Sequence, residues 1–178
     1  TPYKIPFYCA QNLPEPNAPG YYKACTKSIT KILEKHKGKT FIVTSSLASL
    51  ENFNKELEYE ISEKGLILLS EKFSGGIGKI IDQYESNPEK SILIGGIYLL
   101  ERLMTGMAEK SHRSPNTLII QKLPFDVPND PLIQEKSKIF EDPFREFTMA
   151  ELNLKLKRII HTFVKTIDNK LPGNLFKN

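Results

Sequence analysis

The chain has 178 residues, 39% of them hydrophobic and 26% charged, with a formal net charge of +4. That size and balance suit one domain, residues 1–178, built on a single substantial core, and nothing demands a second. No uninterrupted apolar segment approaches the length of a bilayer span, and so small a net charge argues only weakly for a polyanionic partner, so the distribution of charge matters more than its sum.

The opening, TPYKIPFYCAQNLPEP, has neither a basic n-region nor an apolar h-region, so it is not read as a secretion signal, and the expected compartment is the cytoplasm. A start at Thr1 leads us to expect a piece of a longer protein. Next comes YYKACTKSITKILEKHKGK, whose Tyr22, Cys25, Ile29, Ile32, Leu33 and His36 share one helical face while Lys23, Lys27, Lys31 and Lys35 repeat on another. This spacing predicts an amphipathic helix closed by Gly38. Cys25 on the apolar stripe is expected to stay reduced rather than pair with Cys9. The scattered His36, His112 and His161 suggest no metal site.

FIVTSS (41–46) reads as a β-branched strand, and LASLENFNKELEYEI as a helix with Leu47, Leu50, Phe53, Leu57 and Ile61 spaced for burial. Alternation continues through LILL (66–69), the helix IGKIIDQYE, SILIG (91–95), the helix IYLLERLMTGM, and TLIIQ (117–121), an apolar run fit for a buried strand. A proline-bearing loop and two more helices follow. Nearly continuous apolar strands separated by helices predict an α/β fold, a mainly parallel sheet covered on both faces with right-handed crossovers. Ligands of such sheets sit beyond the carboxyl ends of the strands, here Thr44 to Ser46, Ser70-Glu71, Gly95-Gly96 and Gln121 to Phe125.

Two glycine-bearing stretches imitate phosphate loops. Gly38-Lys39-Thr40 has Leu33 five positions earlier and precedes a strand, where a phosphate loop would follow one. SGGIGK (74–79) does join a strand to a helix, but Phe73 stands at the first glycine position, and a turn with a helix cap is the better reading. No nucleophile, base and acid triad can be assembled. In the last helix Leu152, Leu156, Ile159, Ile160, Phe163, Val164 and Ile167 face one way, with Arg158, His161 and Lys165 opposite. That basic face is either solvated or meets a phosphate supplied from outside.

Taken in order, these segments resemble the second motor domain of the XPD/DinG-like branch of superfamily 2 DNA helicases, a RecA-like fold, over nearly the whole chain. QNLPEPNAPGYYKACTKSITKILEKHKGKTFIVTSS is similar to the start of that domain, SILIGGIYLLERL to its Gly-Thr and Glu-Gly stretch, and AELNLKLKRIIHTF to its Q-x-x-G-R-x-x-R helix. LIIQKLPFDVPNDPLIQ, similar to the family's Lys/Arg-Leu-Pro-Phe box, is the most specific match.

The resemblance implies that Arg158 stands for the first arginine, which reaches the γ-phosphate of ATP held by another motor domain, with Glu101 and His161 at nucleotide-facing positions. It also implies that Thr44, Ser45 and Ser46 offer hydroxyls and backbone N–H groups to single-stranded DNA, and that Phe125 lies beside it. Singly, the serines read equally well as helix caps, and Phe125 as packing under its loop. Departures from the family pattern are Leu154, Lys157 and His161 in the last helix, and Gly96, Arg102 and Met104 earlier.

Without Walker A or B motifs, this stretch alone is not expected to hydrolyse ATP; ATP and Mg2+ would belong to the full-length parent only. Expected partners are single-stranded DNA, the N-terminal motor domain and other proteins of a larger complex, with no membrane. The alternative is a non-catalytic RecA-like module that binds nucleic acid or protein. A small-molecule enzyme using the Gly95-Gly96 loop is a third reading.

Overall fold

The computed structural model of the protein describes residues 5–108, 110–125 and 130–168. Four parallel strands, β1 (Thr40–Val43), β2 (Ile67–Ser70), β3 (Ser91–Gly95) and β4 (Thr117–Ile120), lie in the order β2-β3-β1-β4. Helix α1 (Tyr21–His36) precedes β1, and α2 (Leu47–Glu63), α3 (Ile77–Ser86) and α4 (Ile97–Gly106) connect the successive strands, followed by α5 (Pro131–Ser137) and α6 (Met149–Asp168). The turn from Pro143 to Thr148 that leads into α6 is π-helical. The expected α/β class with a parallel sheet is what the chain adopts.

Alternation along the strands divides the core in two. Ile42, Ile92 and Ile94 pack with Cys25, Ile29 and Leu33 of α1 and Leu50, Phe53, Leu57 and Ile61 of α2. Phe41, Val43, Leu69 and Leu93 turn to the other face, against Ile80 and Tyr84 of α3, Leu99, Leu100 and Leu103 of α4, and Ile159 and Phe163 of α6. Each large side chain withdrawn from water contributes roughly 1.5–3 kcal/mol, so both helical layers are needed to hide the sheet. Tyr84 is fully buried, and its hydroxyl donates to the Arg113 carbonyl at 2.8 Å. Burial, with the charge of Glu89 adding, pushes its phenol well above the ordinary range.

Some expectations are corrected. The strand from Thr117 is an edge strand paired only with β1, so its side chains are half-buried where a fully buried strand was expected. On α1 the inward tyrosine is Tyr21, while Ile32 and His36 are exposed. Leu47 is 58% exposed, because it opens α2 at the sheet edge before the helix passes over the sheet. On α6 the buried stripe is narrower than predicted; Ile160 is exposed and Val164 only half-buried. Asp130 caps α5 by accepting from the N–H of Leu132 at 2.8 Å, with Pro131 at the first position, while Asn129 and the side chain of Ile167 lie outside the described residues.

Gly38 does not close α1 as a left-handed cap. The left-handed residues there are Lys37 (φ 44°) and Lys39 (φ 52°), and a Cβ on Gly38 would lie 1.9 Å from the Glu89 carbonyl oxygen. Glycine is required because the chain entering β3 crosses directly over it. Gly38→Ala is therefore expected to lower stability by about 2–3 kcal/mol in urea unfolding, the upper part of the range of overpacked sites. Gly106→Ala, with open space around its Cβ position, should unfold at or above the wild-type midpoint.

Candidate nucleotide and nucleic-acid cleft

Because the strands are parallel and in register, all four release the chain on the same edge of the sheet. A cleft of about 830 Å³ opens there. β1 contributes Thr44, Ser45 and Ser46; β2, Glu71 and Lys72; β3, Gly96; β4, Lys122, Pro124 and Phe125; and α6 brings in Lys155 and Arg158. Pro124 has no N–H with which to continue a ladder, so the chain turns away after Gln121 and Phe125 comes to the cleft wall, 43% exposed.

The three hydroxyl residues after β1 are not equivalent. Thr44 is buried, and its N–H is already spent on the Gly95 carbonyl at 2.9 Å. Ser46 caps α2, its Oγ accepting from the Ser49 N–H at 3.2 Å and donating to Ser49 Oγ at 3.0 Å. Ser45 is exposed and makes neither kind of contact, so of the three it has the most to offer a phosphate.

Glu71 governs the Gly95-Gly96 turn. Its carboxylate accepts the Gly96 N–H at 2.8 Å at the start of α4, and a Cβ on Gly95 would sit 2.7 Å from Leu99 Cδ2 and 2.8 Å from Glu71 Oε2. The turn is thus filled by a protein carboxylate, which repels an incoming anion. SGGIGK is likewise built as a turn: Ser74 Oγ accepts from the Ser70 N–H at 2.9 Å, and Gly75 has a left-handed φ of 100°.

Arg158 stands at the cleft mouth with its side chain 62% exposed. Its Nε donates to one Glu101 oxygen at 2.6 Å and its Nη2 to the other at 2.8 Å, a two-point fork from α6 to α4. This carboxylate raises the guanidinium pKa further above its ordinary value, first through the hydrogen bonds and then through its charge. A guanidinium has five N–H donors, so three remain for an outside acceptor. His161 is not in this cleft; it lines an adjoining shallow depression with Lys157, Ile160 and Val164, which Arg158 also borders. Among the described residues no group of three or more His, Cys, Asp or Glu could hold a metal ion, and no helix is long and apolar enough to cross a membrane.

The clamp that fixes the β4 exit was missed at the sequence level. Tyr21 at the start of α1 donates its hydroxyl to the Gln121 carbonyl at 3.2 Å and accepts from the Gln121 amide at 2.8 Å. A helical repeat alone cannot say which of two adjacent tyrosines turns inward. Burial pushes the Tyr21 phenol up to about 12, with Cys25 adding and the Gln121 amide opposing.

The family described as Helicase C-terminal domain matches residues 29–160, a stretch that contains Glu101 and Arg158 and stops one residue short of His161. The chain is similar to the ATP-dependent DNA helicase YoaA of Escherichia coli (strain K12), 23% identical over 164 residues, which cover 90% of this chain and 24% of that protein. It thus spans about a quarter of the length of that relative. No solved structure matches it.

Removing the clamp hydroxyl by Tyr21→Phe leaves the Gln121 groups short of partners and is expected to cost about 1–2 kcal/mol in urea unfolding. The folded phenol titrates above its ordinary 10.0, so its contribution is complete below pH 10 and fades as pH rises through about 12. Stability measured across that window should fall less steeply in Tyr21→Phe than in the wild type.

Proposed function

The chain belongs to the helicase C-terminal domain family, and from that premise we propose that it is the second motor domain of an ATP-dependent DNA helicase acting in the cytoplasm. Its part is to supply an arginine to a nucleotide held by the other motor domain and to carry half of a single-strand track. The observation that carries this reading is the fork of Glu101 and Arg158 at the mouth of a cleft into which all four strand exits open.

The chemistry explains why a fork suits the task. Charge developing on a terminal phosphate during transfer is best met by a donor already oriented, since no reorganisation is then needed at that moment. Glu101 takes the side of the guanidinium that carries Nε and leaves the Nη1 pair and one Nη2 hydrogen outward. Glu101 is thus a positioning residue, and Arg158 is the group that touches the nucleotide. ATP with Mg2+, when bound by the other domain, supplies the phosphoryl group and neutralises part of its charge. His161, facing the neighbouring depression, approaches that nucleotide only as the two motor domains close.

The nucleic acid runs past Ser45, whose exposed hydroxyl meets a phosphate, and past Ser46, which holds the start of α2 beside it, while the Phe125 ring stacks on a base. Thr44 supports this wall from within. Lys122, half-buried and without an ion-pair partner among the described residues, adds positive charge beside Phe125.

Enzymology on the full-length protein tests the assignment. Arg158→Ala should lower DNA-stimulated ATP turnover about 10³-fold or more, the range seen when a bridging arginine is removed. Arg158→Lys should not restore it, because an ammonium cannot hold Glu101 and a phosphate through one planar fork. Glu101→Gln, which weakens the hold but keeps the arginine, should fall between Arg158→Ala and the wild type. Near-normal turnover in Arg158→Ala would reject the role, and a wild type that binds DNA without turnover would favour the non-catalytic module. Phe125→Ala should weaken oligothymidylate binding by about 1–3 kcal/mol.

A further inference from the structure

The proposed track leaves one charged feature unexplained. Lys23, Lys27, Lys31 and Lys35 repeat every fourth residue along α1 and all are exposed. On the same repeat the opposite side buries Tyr21, Cys25, Ile29 and Leu33, so the lysines look straight away from the core. None has an ion-pair partner among the described residues, and the one acid of this helix, Glu34, is held by Lys64 at 3.3 Å. Like charges four residues apart on a helix repel one another, and here no ion pair among the described residues relieves them.

The direction of α1 turns this row into a path. Its first residue, Tyr21, is tied to Gln121 at the carboxyl edge of the sheet, next to Lys122 in the cleft wall. Its far end meets the opposite edge, where the Lys39 N–H donates to the Pro88 carbonyl at 3.0 Å just before β3. The lysines therefore start beside the cleft and run down the side of the domain for about 18 Å, with one charge at every 6 Å or so of helix axis.

We propose that this lysine row is a second nucleic-acid contact, which takes up the phosphates of a single strand leaving the cleft past Phe125 and Lys122. The inference rests on the track reading for where the strand comes from. Charge and continuity select the occupant, a flexible polyanion, and lysines grip its backbone without reading bases.

The test uses the full-length protein and fluorescent oligothymidylates of about 8 and about 30 nucleotides, the shorter able to fill the cleft and only the longer able to reach past it. Changing Lys23, Lys27, Lys31 and Lys35 together to Gln should weaken binding of the long strand about tenfold or more while leaving the short one within about twofold. The slope of log affinity against log salt for the long strand should drop by about 2 to 3, as expected for up to four lost phosphate contacts. The matching Lys→Arg variant should bind like the wild type. Equal loss on both lengths, or an unchanged salt slope, would overturn the proposal. So would self-association at low salt that the Gln variant abolishes, since the row would then serve the exposed Glu56, Glu60 and Glu63 of α2 in a second copy. Phe125→Ala separates this inference from the track: loss on both lengths supports the track, whereas no loss there with a length-dependent effect of the lysines rejects the track and leaves the row standing.

Discussion

Parallel strands in register must all release the chain on one side, and the rest of this domain is arranged around that constraint. Val43 stands level with Gly95 on one neighbour and with Ile120 on the other, so three exits open within a residue of one another. Each exit then needs a device to turn the chain. β1 hands over to a serine cap, β2 to a turn stapled by Ser74, β3 to a glycine pair closed by Glu71, and β4 to a proline. The helices carry the chain back over two separate cores, and their burial supplies the stability that lets the exits carry polar, exposed groups.

Onto that edge the last helix delivers Arg158 from 57 residues beyond its partner Glu101. The pair is too exposed to stabilise the fold appreciably, since water and salt screen a surface ion pair. What it does instead is restrict direction. Ile159 and Phe163 hold α6 against the core that α4 shares, so the backbones are fixed by apolar packing and the carboxylate then sets the plane of the guanidinium. A long side chain that would otherwise sample many rotamers is held with its unused donors outward.

The layered fold was legible because its signal is dense: SILIG was read with the bounds β3 adopts, and the strands and helices after it fall in the predicted order. Single residues were less legible wherever a tertiary neighbour decides. Gly38 looks like a helix cap in isolation, and only the crossing chain at Glu89 shows why no Cβ fits. Tyr21 and Tyr22 are interchangeable on a helical repeat until Gln121 picks one. The strand-end rule located the cleft, yet it could not show that Thr44 is spent on the sheet while Ser45 is open. Nor could spacing join Glu101 to Arg158, because the contact depends on α4 and α6 lying side by side.

We propose that Arg158, oriented by Glu101, completes a nucleotide site from across a domain interface. The most direct measurement is a structure of the full-length protein with single-stranded DNA and a non-hydrolysable ATP analogue. The Arg158 guanidinium should lie within hydrogen-bond reach of the terminal phosphate while its Nε and Nη2 still hold Glu101. A closed complex in which Arg158 points away from the nucleotide, or in which another residue of this domain takes that phosphate, would contradict it.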